Sequence, residues 1–411
     1  MKVFWVRSVI YAELMSLVFL QRFAITFGVK QIPLVLPLTF VVMTILFLCN
    51  AVDIARAKLE AYTFMMSVLI LCSVISIGSM YIALTSLAAL ASVYLLWTVT
   101  IKEPYRLIFP DALNIFQWSV AITSLLSVLQ FLLQLVGLGF IDLNSLVPTR
   151  WMLSGFNTTY HPPLMNIFKS NGFFMLEPSF ASQLSALAFI FEYRYFKRTG
   201  LLALYLAAVI FTFSGTGILL ILLTAIFAFK DFLLPNRKAL KYLLLSLALL
   251  FPMAIAYLPV YMERIQHQLS TGSSAYARWV SPFIGVSYLF PTHILFGTGS
   301  GAESRSPLLT LLPPATSFTV VPSLLFQYGI VGTMSFAIFL YVCVRPCVKS
   351  GVSSTVIVSV GIIYLLLNGT LIEPFIDFLV LFLAIIWSRE NAQPSSAYKN
   401  KSRLSLGVRA P

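Results

Sequence analysis

Glu177 combines a residue type and a setting that suit proton transfer. It is followed by Pro178 and flanked by phenylalanines at positions 173, 174 and 180. Because proline favours the first position of a helix, the sequence predicts a helix beginning at Pro178, with Glu177 at or just before its start. The helix dipole would stabilise a carboxylate there, so capping is one interpretation. We favour the other, because burial among apolar groups raises a carboxyl pKa and suits the group to acid–base chemistry.

Arg278 is the second residue with a clear chemical use. It lies two residues after Tyr276 in the segment YARW, and the glycine-rich run LFGTGSG follows at 295–301. A guanidinium can bind phosphate through two hydrogen bonds. Glycines let backbone N–H groups approach an anion closely, which makes Gly297 and Gly299 candidate binding residues. A flexible re-entrant turn explains the same glycines equally well. The run is not a dinucleotide fingerprint, because no strand precedes it.

A polar segment at about 140–171 has the composition of a carbohydrate site. It is rich in Pro, Asn, Ser and Thr, with Trp151, Phe156 and Tyr160 interleaved. Aromatic faces stack on the C–H faces of sugars, while amide and hydroxyl groups bind sugar hydroxyls. Any single aromatic residue here is better explained as part of the aromatic belt at the membrane interface. The composition of the whole segment favours a carbohydrate-binding site.

Metal and nucleotide chemistry lack their usual motifs in this sequence. There is no P-loop and no His, Cys and carboxylate spacing of the kind that binds zinc, so we expect neither a metal nor a cofactor. The 4 cysteines lie within or at the ends of apolar runs, and no disulfide framework is expected.

The composition indicates that lipid surrounds most of the chain. Of its 411 residues, 59% are hydrophobic and 10% are charged, whereas soluble domains are about 45–50% apolar and about 25% charged. The net charge of +13 comes from 27 Lys and Arg scattered between apolar runs, as expected for cytoplasmic loops of a membrane protein. We therefore exclude nucleic acid as a partner and expect membrane lipid instead.

Apolar segments long enough to cross a bilayer, about 20 residues each, recur along the sequence. They are residues 8–27, 31–49, 61–78, 80–98, 112–138, 172–191, 240–258, 321–344, 352–369 and 374–388. The stretch 200–229 could be one long helix or two short ones separated at Ser214–Gly217.

The positions of two basic clusters on either side of this stretch decide between the one-helix and the two-helix alternatives. The basic clusters at 194–198 and 230–241 should both be cytoplasmic, which requires two helices with an outer turn between them. We therefore predict an all-α polytopic membrane protein with about 12 transmembrane helices and both termini cytoplasmic. Residues 1–388 would form a single transmembrane domain, followed by a basic, disordered cytoplasmic tail at 389–411.

Two outer segments, about 140–171 and 259–320, are too long to be simple connectors. They contain all 3 histidines, including His161, and the basic side chains of Arg150, Lys169, Arg278 and Arg305. We therefore expect the chemistry to be external, with Tyr276 and these basic residues among the substrate-binding groups.

Two further sets of residues are weaker candidates. The turn Ser214–Gly217 would expose a helix N-terminus to the outer face, where an anion could bind. Gln117, Gln130 and Gln134 could hydrogen-bond inside the bundle, although we favour close packing for them.

The layout resembles the Wzy-type O-antigen polymerases of the O-antigen polymerase and ligase superfamily. The resemblance covers about residues 172–388. It depends on FFMLEPSFAS at the sixth span, the helix pair hinged at SGTG, a long outer loop with an Arg well before LFGTGSG, QYGIVG in the tenth span and a final NGTLIEPF turn.

The resemblance implies glycosyl transfer at the outer face of a bacterial inner membrane. An undecaprenyl-pyrophosphate-linked oligosaccharide would be the donor, and a second lipid-linked repeat unit the acceptor. Arg278, together with Arg150, would bind the pyrophosphate and stabilise it as it leaves, and Glu177 or His161 would deprotonate the acceptor hydroxyl. The implied mechanism is inverting and metal-independent, and a chain-length regulator protein is a further candidate partner.

Departures from the family pattern bear on the alternatives. Ligase relatives tend to carry a His before the span corresponding to 321–344, where this chain reads LLPPATSFTVVPS, which favours a polymerase over an O-antigen ligase. Some relatives carry a basic residue where this chain has Gly217.

A non-enzymatic lipid-linked oligosaccharide flippase or transporter should show internal repeats and polar groups at mid-membrane, and the sequence lacks a convincing repeat. A membrane acyltransferase would need a His with a nearby carboxylate, and none is adjacent along the chain.

Overall fold

The structure is a computed structural model of the chain. It describes residues 2–27, 30–76, 83–102, 105, 109–154, 167–228, 276–289, 293–302, 310, 316–349, 353–367 and 370–386. The predicted span at 240–258, the predicted tail at 389–411 and the candidate residues His161 and Arg305 lie outside these ranges.

The described chain is mostly helical. Its helices are α1 (Lys2–Phe19), α2 (Val35–Leu48), α3 (Arg56–Ile75), α4 (Leu84–Leu95), α5 (Phe109–Leu135), α6 (Pro178–Phe191), α7 (Thr199–Phe211), α8 (Gly215–Phe227), α9 (Ser281–Ser287), α10 (Val320–Lys349), α11 (Ser354–Ile362) and α12 (Pro374–Ile386). Within the described ranges, segments of α3, α5 and α10 are long and apolar enough to span a membrane.

Two short antiparallel strand pairs interrupt the predicted helical pattern. Strand β1 (Ala24–Phe27) pairs with β2 (Lys30–Pro33), with Ala24 opposite Pro33, and β3 (Val52–Ile54) pairs with β4 (Val99–Ile101). The first hairpin occupies the end of the predicted span 8–27 and the start of 31–49, so those boundaries were wrong. Side chains such as Ile25, Thr26 and Ile32 favour extended backbone over helix.

The stretch 200–229 forms two helices, as predicted. Helix α7 ends at Phe211 and α8 begins at Gly215, and Phe213 between them has a φ of 47°. Two hydrogen bonds join the first turns of α6 and α8. The Gly217 N–H donates to Ser182 Oγ (3.2 Å), and Thr216 Oγ1 donates to the Ser179 carbonyl (3.2 Å). The starts of α6 and α8 therefore lie at one end of the bundle.

That end also contains the start of α12, because Leu176, Glu373 and Pro374 line one small cavity. Both α6 and α12 begin directly after a glutamate, at Glu177-Pro178 and Glu373-Pro374. We call it the Glu-Pro end. The end of α1 reaches it as well, since Phe19 packs edge-on against Phe174 (5.2 Å).

The opposite end, called here the basic end, contains the β3–β4 strand pair and the junction between α6 and α7. Arg198 Nη2 pairs with the buried carboxylate of Glu192 (2.7 Å), and Arg198 Nη1 donates to Asn114 Oδ1 at the start of α5 (2.9 Å). Arg194 Nε donates to Ser353 Oγ just before α11 (3.0 Å). The bundle therefore separates a cation-rich end from the Glu-Pro end.

Candidate functional site

Glu177 and Arg278 meet at the Glu-Pro end. Arg278 Nη2 donates to Glu177 Oε2 at 3.3 Å, and the two side chains are 18% and 21% exposed. Glu177 is the residue immediately before α6, with Pro178 at the first helical position, as predicted. Ser179 Oγ also donates to Glu177 Oε2 (3.0 Å). A guanidinium that can bind phosphate thus lies against a carboxylate 101 residues away in sequence, and both are partly accessible.

The segment around Arg278 is attached to two other parts of the bundle. It forms a π-helical turn, Tyr276–Val280, directly before α9. Trp279 Nε1 donates to the Leu366 carbonyl at the end of the α11 region (3.3 Å), and the Ala277 carbonyl accepts from the Ser317 N–H (2.9 Å). These bonds on both sides of Arg278 fix the backbone from which its guanidinium projects.

Two glutamines of α5 hold the segment that leads into Glu177. Gln134 exchanges two hydrogen bonds with the backbone of Phe168 (2.6 and 3.1 Å). Gln130 Oε1 accepts from the N–H groups of Asn171 (3.1 Å) and Gly172 (3.0 Å). The sequence favoured close packing for these glutamines, and the structure instead assigns them hydrogen bonds that position a loop. Gln117 also hydrogen-bonds, through Nε2 to the Ala188 carbonyl (3.1 Å).

A buried ion pair lies behind this segment. Arg22, which is 2% exposed, forms two hydrogen bonds with the Asp142 carboxylate, one of them from Nη2 to Oδ2 at 3.0 Å. Arg22 Nη1 also donates to the Phe173 carbonyl (3.1 Å), and Asn171 Nδ2 donates to Asp142 Oδ1 (3.2 Å). The pair therefore connects the end of α1, the chain after α5 and the segment before Glu177.

A second glutamate, Glu373, lies close to the Glu177–Arg278 pair. It is 8% exposed and directly precedes α12. Burial raises the pKa of Glu373 to about 8, the nearby Glu177 carboxylate raises it as well, and the Arg278 guanidinium lowers it. The buried carboxylate of Asp377 accepts the Glu373 N–H at Oδ2 (3.0 Å). The site therefore combines one guanidinium with carboxyl groups in different surroundings.

Helix α10 is interrupted at Gly329, whose φ is 63°, and the glycine run packs against this break. The N–H of Gly297 donates to the His293 carbonyl (2.7 Å) and that of Gly299 to the Gln327 carbonyl (2.8 Å). A side chain at Gly297 would collide with the backbone of Gln327, at 2.4 Å. Both N–H groups are thus engaged within the protein, and close packing explains these glycines better than an anion cradle does.

The remaining predicted residues are dispersed. Arg150 is exposed, lies over the Trp151 ring (5.5 Å) and accepts a hydrogen bond at its carbonyl from Thr26 Oγ1 of β1 (2.7 Å). Lys169 is buried in the segment that the α5 glutamines hold. Tyr276 is half-buried at the start of the turn that presents Arg278. Within the described ranges, no group of three or more His, Cys, Asp or Glu side chains is arranged to hold a metal ion.

Sequence reasoning missed Glu373 and the Arg22–Asp142 pair. A signal for Glu373 was present, because Leu-Glu-Pro at 176–178 and Ile-Glu-Pro at 372–374 each precede an apolar run. No local pattern links Arg22 to Asp142, which are 120 residues apart.

No protein-family model matches the chain, and no curated protein matches it.

Proposed function

We propose that this chain is a polysaccharide (O-antigen) polymerase, a glycosyltransferase that joins undecaprenyl-pyrophosphate-linked oligosaccharide repeat units. The observation that supports this most directly is the contact between Arg278 and Glu177 (3.3 Å). It unites two of the five features on which the resemblance depends, the Glu-Pro start of α6 and the arginine before the glycine run. The second Glu-Pro motif, also part of the resemblance, contributes Glu373 to the same place.

The proposed setting is the inner membrane of a bacterium, with about twelve spans and both termini in the cytoplasm. The Glu-Pro end would face outward and the basic end would face the cytoplasm. The positive-inside bias supports this orientation, since Lys102, Arg194 and Arg198 all lie at the basic end. Lipid-linked repeat units would then reach Arg278 from the outer leaflet.

The proposed reaction needs neither nucleotide nor ATP, because the sugar–pyrophosphate bond of the donor supplies the free energy. The acceptor hydroxyl attacks the anomeric carbon of the donor, the bond from that carbon to the pyrophosphate breaks, and configuration inverts. Arg278 stabilises the charge that develops on the leaving pyrophosphate. Glu177 holds the guanidinium in position through their contact, and Arg150, exposed at the same end, provides a second cation for the lipid pyrophosphate.

The length distribution of surface glycan tests this function. The gene is deleted and then restored as wild type, Arg278→Ala or Arg278→Lys, with Arg56→Ala as the matched control because Arg56 is 92% exposed on α3. We expect single-repeat glycan in the deletion strain and a ladder after rescue by wild type or Arg56→Ala. Arg278→Ala should give no ladder, and Arg278→Lys should recover little, because an ammonium cannot bind phosphate with the planar, two-bond geometry of a guanidinium.

Three results would count against the proposal. Loss of every repeat, including the single one, would indicate a ligase or flippase. An unchanged ladder in the deletion strain would remove the polymerase assignment, and a full ladder from membrane-inserted Arg278→Ala would remove the pyrophosphate role of Arg278.

A further inference from the structure

A small cavity at the Glu-Pro end adjoins the Glu177–Arg278 pair. Its walls include Gln21 after α1, Leu153, Leu176 and Glu373. Leu176 is the residue before Glu177, and Glu373 interacts electrostatically with both Glu177 and Arg278. The cavity therefore opens beside the place where the donor pyrophosphate is proposed to bind.

Gln21, one of the residues that line this cavity, carries an unused hydrogen-bond acceptor. The residue is 2% exposed, and its Nε2 donates to the Leu17 carbonyl (3.0 Å). Its Oε1 is buried, and no described residue donates a hydrogen bond to it. Buried polar atoms in proteins are almost always paired, and an unpaired one costs free energy. A hydroxyl group entering the cavity would supply the missing donor.

Glu373 is the ionisable group in the cavity wall. Its backbone N–H is bound by Asp377 Oδ2 (3.0 Å), which fixes the start of α12. The structure describes no side chain or N–H group that donates to its carboxyl oxygens. The charged groups around it are Glu177 before α6, Arg278 before α9 and Asp377 on its own helix. Glu373 and Gln21, whose Oε1 has no partner among the described residues, thus line one cavity beside the proposed leaving-group site.

We propose that Gln21 and Glu373 form the acceptor subsite, with Gln21 binding a hydroxyl of the acceptor sugar and Glu373 acting as general base. This rests on the glycosyltransferase function proposed above. The acceptor oxygen forms a bond to the anomeric carbon of the donor and passes its proton to the Glu373 carboxylate. The bond from that carbon to the pyrophosphate breaks, and its electron pair leaves with the pyrophosphate, which Arg278 neutralises.

The surroundings of the two glutamates agree with Glu177 positioning Arg278 and Glu373 acting as the base. Glu177 is engaged by Arg278 and Ser179, whereas Glu373 is held in a buried position beside another carboxylate. These surroundings raise the pKa of Glu373 to about 8, and a general base is most effective when its pKa is near the working pH.

The test uses the purified full-length chain and lipid-pyrophosphate-linked repeat units extracted from the deletion strain. Polymer formation is measured against pH and substrate concentration, and substrate binding is measured as thermal stabilisation of the protein. Glu373→Gln should lower the rate about 100-fold or more and abolish the rise of rate with pH, while stabilisation by substrate persists. Glu373→Asp should recover part of the rate. Glu60→Gln, which removes a carboxylate that is 63% exposed on α3, is the matched control.

Gln21→Leu tests the other half of the subsite. The variant keeps the approximate size of the side chain and removes its acceptor. We expect the substrate concentration for half-maximal rate to rise about tenfold, the factor that corresponds to about 1.4 kcal/mol, with little change in the limiting rate.

The outcomes separate this proposal from the function on which it rests. If wild type makes no polymer, the proposed function fails and the subsite with it. If wild type makes polymer and Glu373→Gln does so at the same rate, or loses substrate stabilisation together with activity, Glu373 is not the base. A Gln21→Leu variant with unchanged substrate dependence would remove Gln21 from the acceptor subsite.

Discussion

Glu177 and Glu373 are each the residue immediately before a proline-initiated helix, yet their surroundings give them different chemistry. Glu177 faces a guanidinium at 3.3 Å and accepts a hydrogen bond from Ser179 Oγ, so its carboxylate is held by two neighbouring side chains. Glu373 is more deeply buried and accepts no hydrogen bond from the described residues at its carboxyl group. Environment thus separates a residue that orients Arg278 from one suited to exchange a proton.

The buried position of Glu373 predicts a pH-dependent stability. Its pKa is raised from 4.5 to about 8, so between these values the folded chain holds a proton that the unfolded chain has lost. Stability should therefore fall as pH rises from about 5 to 8, at up to about 1.4 kcal/mol per pH unit from this group. Glu373→Gln should flatten that decline in thermal-unfolding measurements, and Glu60→Gln should not. An equally steep decline in Glu373→Gln would show that other groups cause it.

Breaking the buried Arg22–Asp142 ion pair should lower the free energy of unfolding much more than breaking an exposed ion pair. Removing one partner, as in Asp142→Leu, leaves an uncompensated buried charge and should cost about 3–5 kcal/mol. The double variant Arg22→Met/Asp142→Leu should recover part of that loss, because no buried charge remains. Disrupting the exposed Arg56–Glu60 pair should cost about 0–1 kcal/mol. Thermal unfolding of wild type, Arg22→Met, Asp142→Leu, the double variant and Arg56→Ala measures these differences. If the double variant loses as much stability as the two single variants together, the coupling between Arg22 and Asp142 is contradicted.

At the scale of elements, α6 and α8 are held together by their small residues. A Cβ at Gly217 would lie 2.4 Å from Ser182 Oγ and 2.5 Å from the Ser182 carbonyl oxygen. Rotating the Ser182 side chain could move its Oγ away from the added Cβ but not its carbonyl oxygen. The two helices would therefore have to separate. The start of α8 therefore has a packing role, which accounts for the glycine without the anion site that its position suggested.

Gly217→Ala should accordingly destabilise the protein by about 1–3 kcal/mol through overpacking. Gly200 provides the control, because it lies in α7 and a Cβ there would meet nothing within 4 Å. Gly200→Ala should be neutral or stabilising by up to about 1 kcal/mol, since alanine favours helix. Melting temperatures of the two variants in one detergent give the comparison. Equal stability of both variants would mean that the two helices tolerate separation at this point.

The elements and the site differ in how far the sequence determines them. Apolar runs locate most described helices to within a few residues, because membrane-type helices need continuous apolar surface. Hairpin β1–β2 escapes that pattern, since Ile25 and Ile32 are as apolar as helix residues. Their preference for extended backbone is weak and takes effect only when the two strands pair. Pro178 marked the start of α6 from a local rule. The Glu177–Arg278 contact and the Arg22–Asp142 pair depend on tertiary contacts across more than a hundred residues, which no local pattern encodes.

For the whole molecule, the separation of the two ends follows from the directions of the helices. Helix α5 runs from the basic end, where Asn114 accepts from Arg198, to the Glu-Pro end, where Gln130 and Gln134 hold the segment before Glu177. Helix α6 returns in the opposite direction. Across a membrane, such a bundle would place the proposed catalytic groups on one side and the Arg194–Arg198 cluster on the other.

Reporter fusions give the sharpest test of that sidedness. Fusions at residue 215, at the start of α8, and at residue 234, within the basic segment 230–241, should report the outer and the cytoplasmic side respectively. The physical reason is that α8 connects these positions, and translocating four cations costs more than retaining them. A fusion at residue 196, in the turn after α6, should match residue 234. If residues 215 and 234 report the same side, the twelve-span topology fails, and if residues 215 and 196 agree, α7 does not cross the bilayer. If 215 reports the cytoplasm while 196 and 234 report outside, the bundle is inverted and Arg278 cannot meet lipid-linked sugars at the outer face.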